Sequence, residues 1–259
     1  MGAGTDKTRR TKVIDGLLPL GAPHYPASNR PASRPQDLRP TAQRVYDVSW
    51  LNRHDGSVQR SRVEAPAGPI FEAAFSAFAR GTLITTTQGP VAVEDLVPGM
   101  LIQTRERGPS PLLWIGSMQL APDNIAPVAP LTRVMTDAFG LGRPSPDFLA
   151  GPGARLLQRT TGGPGDNSLR SVQSYADGHS VIPLRPPSPV RLYHLALQRH
   201  ATITAAGLTT ESFHPGAGFN SIVSYETSVR FMALFPHLRK TSEFGSLAHP
   251  RQPLPMPIE

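Results

Sequence analysis

No cysteine occurs in the 259 residues, so the chain can supply no thiolate nucleophile, no thiolate metal ligand and no disulfide. Hydroxyl, imidazole and carboxylate groups remain. His194 and His200 form a conceivable metal pair, but two imidazoles do not close a zinc site, and no His-Glu-x-x-His pattern completes one. Structural, hydrogen-bonding histidines are the expectation, and no metal or other cofactor is expected. The adjacent carboxylates Glu94 and Asp95 would point to opposite faces of an extended chain, which is poor geometry for sharing a proton. Their expected task is local hydrogen bonding at a turn. No Gly-x-Ser-x-Gly elbow, phosphate loop or Gly-x-Gly-x-x-Gly element occurs. Gly151-Pro152-Gly153 comes nearest, and it lacks the third glycine and a flanking lysine or helix.

The stretch that must position any such groups runs from Ala77 to Thr104. It contains three short runs, Leu83–Thr87, Val91–Val93 and Met100–Thr104, separated by Gln88-Gly89 and Pro98-Gly99. Those separators are the residues that tight turns require, so the stretch predicts a small, twisted all-β unit.

Its residues Phe78, Gly81-Thr82, Ile84, Thr86, Gly89, Val93-Glu94-Asp95-Leu96 and Gly99 resemble, in type and spacing, the opening block of the Hint (Hedgehog/intein) family in its bacterial form. That resemblance implies an all-β, horseshoe-like Hint fold and a self-processing reaction. In it the first side chain of the domain, a Cys or Ser directly before the Phe, attacks the preceding carbonyl. Here that residue is Ala77, and a methyl group has no lone pair with which to attack.

Phe148–Leu157 resembles the family's second block, where a Thr or Ser and, three residues later, a His assist the scissile amide. Gly151 and Ala154 fall at those positions. Pro189–Ser212 resembles the closing hairpin, with His200 at the place of a late His, Ala206-Gly207 at that of Asn-Gly, and Glu211-Ser212 at that of the terminal His-Asn of inteins. The family positions Ala77, Gly151, Ala154 and Ser212 are therefore read as catalytically degenerate. The residues left as candidates are Ser76 and His200. Ser76 could attack the Phe75 carbonyl after a slip of one residue, but such a slip in a strand turns a side chain to the other face.

Composition agrees with many short elements. Twenty-nine prolines, 23 glycines and 7% aromatics argue against a helical bundle. The net charge of +7 is concentrated: residues 1–62 hold eleven Lys/Arg against five Asp, and the remainder is nearly neutral. Residues 1–41 read as a disordered basic arm, and contact of residues 1–62 with nucleic acid or an anionic surface is the binding alternative. No apolar run approaches a bilayer span. Val13-Ile14 and Leu17–Leu20 are too short and interrupted for a signal h-region, so cytoplasmic placement is expected and leaderless secretion stays open.

Between arm and block, Arg44–Trp50 and Val58–Val63 alternate around turn residues 52–56, predicting an accessory hairpin over 42–69. The Hint-like domain is expected over 70–215, and a helix and tail over 216–259. Within these, Gly108–Pro111 reads as a turn before a strand at Leu112–Ile115, with Trp114 as core filler. Leu131–Thr136 reads as a strand and 137–147 as a rigid loop. Thr160–Asn167 reads as a polar loop, and Ser171–Ala176 with Ser180–Leu184 as a hairpin around Asp177-Gly178. Tyr225–Phe235 reads as a helix packing through Tyr225, Val229, Met232 and Ala233, with a partner-docking helix as the alternative. Residues 246–259 are expected to fray. The functional reading is a degenerate self-processing fold without enzymatic activity, serving as a structural or interaction module for a protein partner. Residual self-cleavage at Phe75-Ser76-Ala77 is the alternative.

Overall fold

Alternating apolar residues broken by glycine and proline give a structure whose regular elements are mostly strands. The computed structural model describes Met1 and residues 42–122, 129–159 and 167–252. The arm expected over 1–41, most of the loop at 160–167 and the stretch 253–259 lie outside the described residues. The strands are β1 (Gln43–Leu51), β2 (Val58–Pro66), β3 (Phe78–Ala79), β4 (Leu83–Thr86), β5 (Gly89–Ala92), β6 (Leu101–Thr104), β7 (Gly108–Leu120), β8 (Leu131–Val134), β9 (Phe148–Ala150), β10 (Arg155–Arg159), β11 (Asn167–Ser171), β12 (Val181–Leu184), β13 (Val190–Leu197), β14 (Thr202–Ala205) and β15 (Leu208–Glu211). Three short helices complete it: α1 (Pro69–Glu72), α2 (Phe219–Ile222) and α3 (Tyr225–Met232). All the strand pairings are antiparallel. The all-β architecture, the N-terminal hairpin and the short C-terminal helix are as expected.

Strand β7 organises the rest. Its first four residues pair with β6, and its remainder pairs with β13 on one side and β1 on the other. The hairpin β1–β2 thus extends the sheet through β7. The turn expected at Gly108–Pro111 is instead the start of this strand. Leu112 donates its N–H to Met100 toward β6, so the alternation of a strand puts the nitrogens of Pro109 and Pro111 on the other side. Proline costs no ladder bond there.

Two apolar clusters form. One lies around the signature block, from Phe78 and Ile84 to Leu208. The second is aromatic, joining Tyr46, Phe75, Trp114, Phe213, Phe231 and Phe235 beneath the hairpin and helices. Trp114 is fully buried, as core filler should be, and its Nε1 donates to the Leu234 carbonyl at 2.8 Å.

Three further expectations are corrected. Residues 172–175 form a 3-10 turn, and β12 pairs with β8, so no hairpin closes around Asp177-Gly178. Asp177 Oδ1 accepts the N–H groups of His179, Ser180 and Val181, which redirects the chain instead of doubling it back. The helix α3 forms, but Tyr225 and Val229 face outward; the buried side is Phe231 and, just beyond the helix, Leu234 and Phe235. Side chains without a hydroxyl and with more apolar surface than valine took the inner face. Finally, residues 248–252 do not fray: Leu169 N–H donates to the Pro250 carbonyl and Gln252 N–H to the Leu169 carbonyl, both at 2.8 Å.

Candidate functional site

The junction Ser76-Ala77 enters β3 from α1, and its two neighbours across the sheet are set by chain connectivity. The Ala77 N–H donates to the Tyr193 carbonyl in β13 at 2.9 Å. On the other side β9 ends at Ala150, and the turn that follows donates the Gly151 N–H to the Ala77 carbonyl (3.0 Å) and the Gly153 N–H to the Ser76 carbonyl (2.9 Å). Both carbonyls of the junction are therefore held by backbone donors. Residues 74–78 are all buried to within 1% of complete.

The closeness of that approach explains the glycines. A Cβ on residue 151 would lie 2.1 Å from the Ser76 carbonyl oxygen, and one on residue 153 would lie 2.7 Å from that of Ala73. Backbone fills the space where a side chain could have assisted chemistry. Ala154 is buried as well, and its carbonyl accepts from Val172. The structure thus brings Ser76, Ala77, Gly151 and Ala154 into one neighbourhood. The Ser76 hydroxyl is buried with no hydrogen-bond partner among the described residues, so no neighbouring base holds it. His194 stands nearby on β13 with its ring 5.5 Å from Phe78; its Nδ1 accepts from the Leu195 N–H. Burial pushes its pKa down to about 3, so the ring is neutral.

Arg155, the residue after Ala154, leads to a second cluster that the sequence concealed. The carboxylate of Glu211 at the end of β15 is 1% exposed and meets His200 Nε2 at 2.9 Å, Arg251 Nε at 2.8 Å and Arg155 Nη1 at 3.5 Å. His200 Nδ1 accepts the Ala248 N–H at 2.8 Å, which leaves the ring proton on Nε2, pointed at Glu211. Burial alone would raise the Glu211 carboxyl; the hydrogen bond from His200 and the charges of Arg251 and Arg155 outweigh it and hold the pKa at about 2. Ser212 is fully buried beside this cluster, its hydroxyl accepting from the Ala201 N–H at 3.1 Å. It is a closing clasp between β14 and the chain after β15.

Ala206-Gly207, at the tip of β14–β15, takes positive φ at both residues, 47° and 80°, the conformation of a tight hairpin turn. Glu94 accepts from the Gly81 N–H at 2.8 Å, the local hydrogen bond expected of it. Of the groups that converge on Glu211, the sequence pointed to His200 alone. Arg251 lies 40 residues away in sequence and carries no local pattern; the Glu211-Ser212 pair was the one signal that could have found the carboxylate. Among the described residues no three His, Asp or Glu side chains gather so as to hold a metal ion. No helix among them is long and apolar enough to cross a membrane.

Comparison with known proteins gives three findings. The family model described as "Hint domain" matches residues 76–217, more than half the chain. Among solved structures, the solution structure of a bacterial intein-like domain from Clostridium thermocellum aligns with 12% identity and a TM-score of 0.39, over 54% of this chain and 99% of that one. Among curated proteins nothing matches.

Proposed function

Because this chain belongs to the Hint domain family, we propose that it is a degenerate member of it, retaining the fold as a structural or interaction module for a protein partner. One observation carries this reading. At the peptide bond where the family's reaction would start, no side chain is placed to attack or assist: residue 77 is alanine, and glycine backbone occupies the place of an assisting side chain. Acyl transfer needs an attacking lone pair, an activating base and an acid for the leaving amine. Ala77 supplies none of these, nor do Gly151 and Ala154. Fold alone does not confer activity.

A second reading has one observation in its favour, the unpartnered Ser76 hydroxyl. Its oxygen would attack the Phe75 carbonyl, giving up its proton; the Ser76 nitrogen would take a proton and leave as the amine, and water would hydrolyse the resulting ester. Contact with anionic surfaces through the eleven Lys/Arg of residues 1–62 is an additional proposal and needs no chemistry at the junction.

Intact mass spectrometry of the full-length protein, with and without hydroxylamine, separates the first two. A single unprocessed mass in both samples is expected. A fragment beginning at Ser76 or Ala77 overturns the degenerate reading, and its loss in Ser76→Ala would assign the scission to that hydroxyl.

A further inference from the structure

We infer that the groove between the β1–β2 hairpin and the loop 94–98 is a docking site for an acidic, extended segment of a protein partner, whose carboxylates are taken by Arg60, Arg62, Arg191 and the hydroxyl of Ser117. The inference rests on the interaction-module reading and names the kind of partner that such a module would take.

Strand register puts these groups side by side. Asp47 in β1 lies opposite Arg62 in β2 and opposite Ser117 in β7, and Ser117 lies opposite Tyr193 in β13. One row of side chains therefore crosses four strands on a single face, and Arg60, Ser49 and Ile115 form the next row. Leu96 and Pro98 supply the facing wall, and the space between is about 480 Å³. From β2 to β13 is about 14 Å at the usual strand spacing, the length of about four extended residues. The hairpin precedes the segment that matches the family, so the Hint fold alone does not make this groove.

The charge of the groove is unbalanced. Arg60, Arg62 and Arg191 line it together with the carboxylates Asp47 and Glu94. Glu94 is already occupied by the Gly81 N–H at 2.8 Å and by Arg80, which is no part of the lining, at 3.3 Å. Asp47 receives Arg62 Nε at 3.1 Å on one oxygen and Arg191 Nη2 at 2.9 Å on the other. It thereby fixes two guanidiniums beside each other, and Arg62, held through Nε, keeps its terminal nitrogens for a further acceptor. Arg60 has no ion pair among the described residues. Ser117 is the sharper sign: it is 6% exposed, lines the groove, and its hydroxyl has no hydrogen-bond partner among the described residues. A polar group buried so far calls for a partner, and a carboxylate held between arginines supplies the acceptor. Arginine clusters recognise acidic motifs in this way, through forked hydrogen bonds. Arginines on an edge strand such as β2 also discourage pairing between copies. That role involves neither Ser117 nor Arg191, which stands three strands away.

The test titrates the full-length, isotope-labelled protein with the peptide Glu-Glu-Leu-Glu-Glu and, as comparator, Gln-Gln-Leu-Gln-Gln, reading amide shifts by NMR. The acidic peptide alone should shift the amides of 47–49, 60–62, 115–117 and 191–193. Arg191→Gln should weaken binding about tenfold and Arg60→Gln about fivefold. Arg60 is exposed, so its replacement leaves the fold intact and keeps the test decisive if Arg191→Gln does not fold. Arg105→Gln removes the same charge from an exposed position outside the groove and should change affinity by less than about twofold. Shifts confined to residues 1–41, whose basic side chains also attract carboxylates, overturn the inference, as does equal weakening by Arg60→Gln and Arg105→Gln. So does inorganic phosphate that gives the same shifts at the same concentration, since the groove would then hold a small anion and no segment. A self-cleavage fragment in the mass spectrum would remove the degenerate reading and leave this titration unaffected. Absence of the shifts would remove the docking site and leave the unprocessed mass as it was.

Discussion

One methyl group at residue 151 probes the packing at the junction. The added carbon in Gly151→Ala would sit 2.1 Å from the Ser76 oxygen and 2.9 Å from its carbon, and both are backbone, with no flexible side chain to swing aside. Overpacking of this kind lies at the upper end of its usual range, about 3 kcal/mol. Gly68→Ala is the control: nothing lies within 4 Å of its added carbon and its φ of 170° is ordinary extended backbone, so it should cost under about 0.5 kcal/mol. Urea unfolding of the two variants checks this, and equal midpoints would show that the junction has room to spare. At this scale the sequence was informative about identity and silent about contact. The spacing of short blocks of turn and strand residues suggested family positions for Ala77 and Ala154, and both are buried in the same apolar cluster. That residue 151 must be glycine could not be read from spacing, since the reason is a carbonyl 75 positions earlier in the chain.

At the scale of elements, one indole ties the chain just after α3 to the sheet. The ring of Trp114 in β7 lies 4.6 Å from that of Phe235, tilted by 33°, and its Nε1 donates to the Leu234 carbonyl. Trp114→Phe keeps an aromatic ring but leaves that carbonyl buried without its donor, so a loss of about 2 kcal/mol is expected. Amides 231–235 should also exchange faster than those of β13. If the loss appears without the change in exchange, the indole fills space and fastens nothing. Burial of Trp114 was legible from its type, and its hydrogen bond was not. The same distinction runs through the other elements. Strand periodicity located the signature block and the N-terminal hairpin, where residues alternate over several positions. It failed at Gly108–Pro111, because two prolines mark a turn by composition although an unpaired strand side accommodates them. It also chose the wrong face of α3: Tyr225 and Val229 have helical spacing, but Phe231 and, just beyond the helix, Leu234 and Phe235, which carry no hydroxyl and more apolar surface than valine, fill that core.

For the molecule as a whole, buried histidines set the response to acid. Burial holds His194 at about 3, His214 at about 4 and, aided by Arg53, His237 at about 3. Each lies below the ordinary 6.5, so the unfolded chain takes up protons that the folded one refuses. Their stabilising contribution is complete above 6.5 and is lost as pH falls toward 3 to 4. Each group adds a slope of about 1.4 kcal/mol per pH unit across its window. Glu211 has the same sign in a lower window: its carboxylate, held at about 2 against the usual 4.5, stabilises above 4.5 and ceases to as pH falls toward 2. The prediction is a flat stability profile from pH 8 to 7, then a fall that steepens through pH 5, measured by urea unfolding at fixed ionic strength. His194→Gln should lower stability at pH 7 yet reduce the slope between pH 6 and 4 by about one proton, which separates titration from packing. A wild-type profile level down to pH 5 would mean that these rings reach solvent and that the aromatic core is open to water.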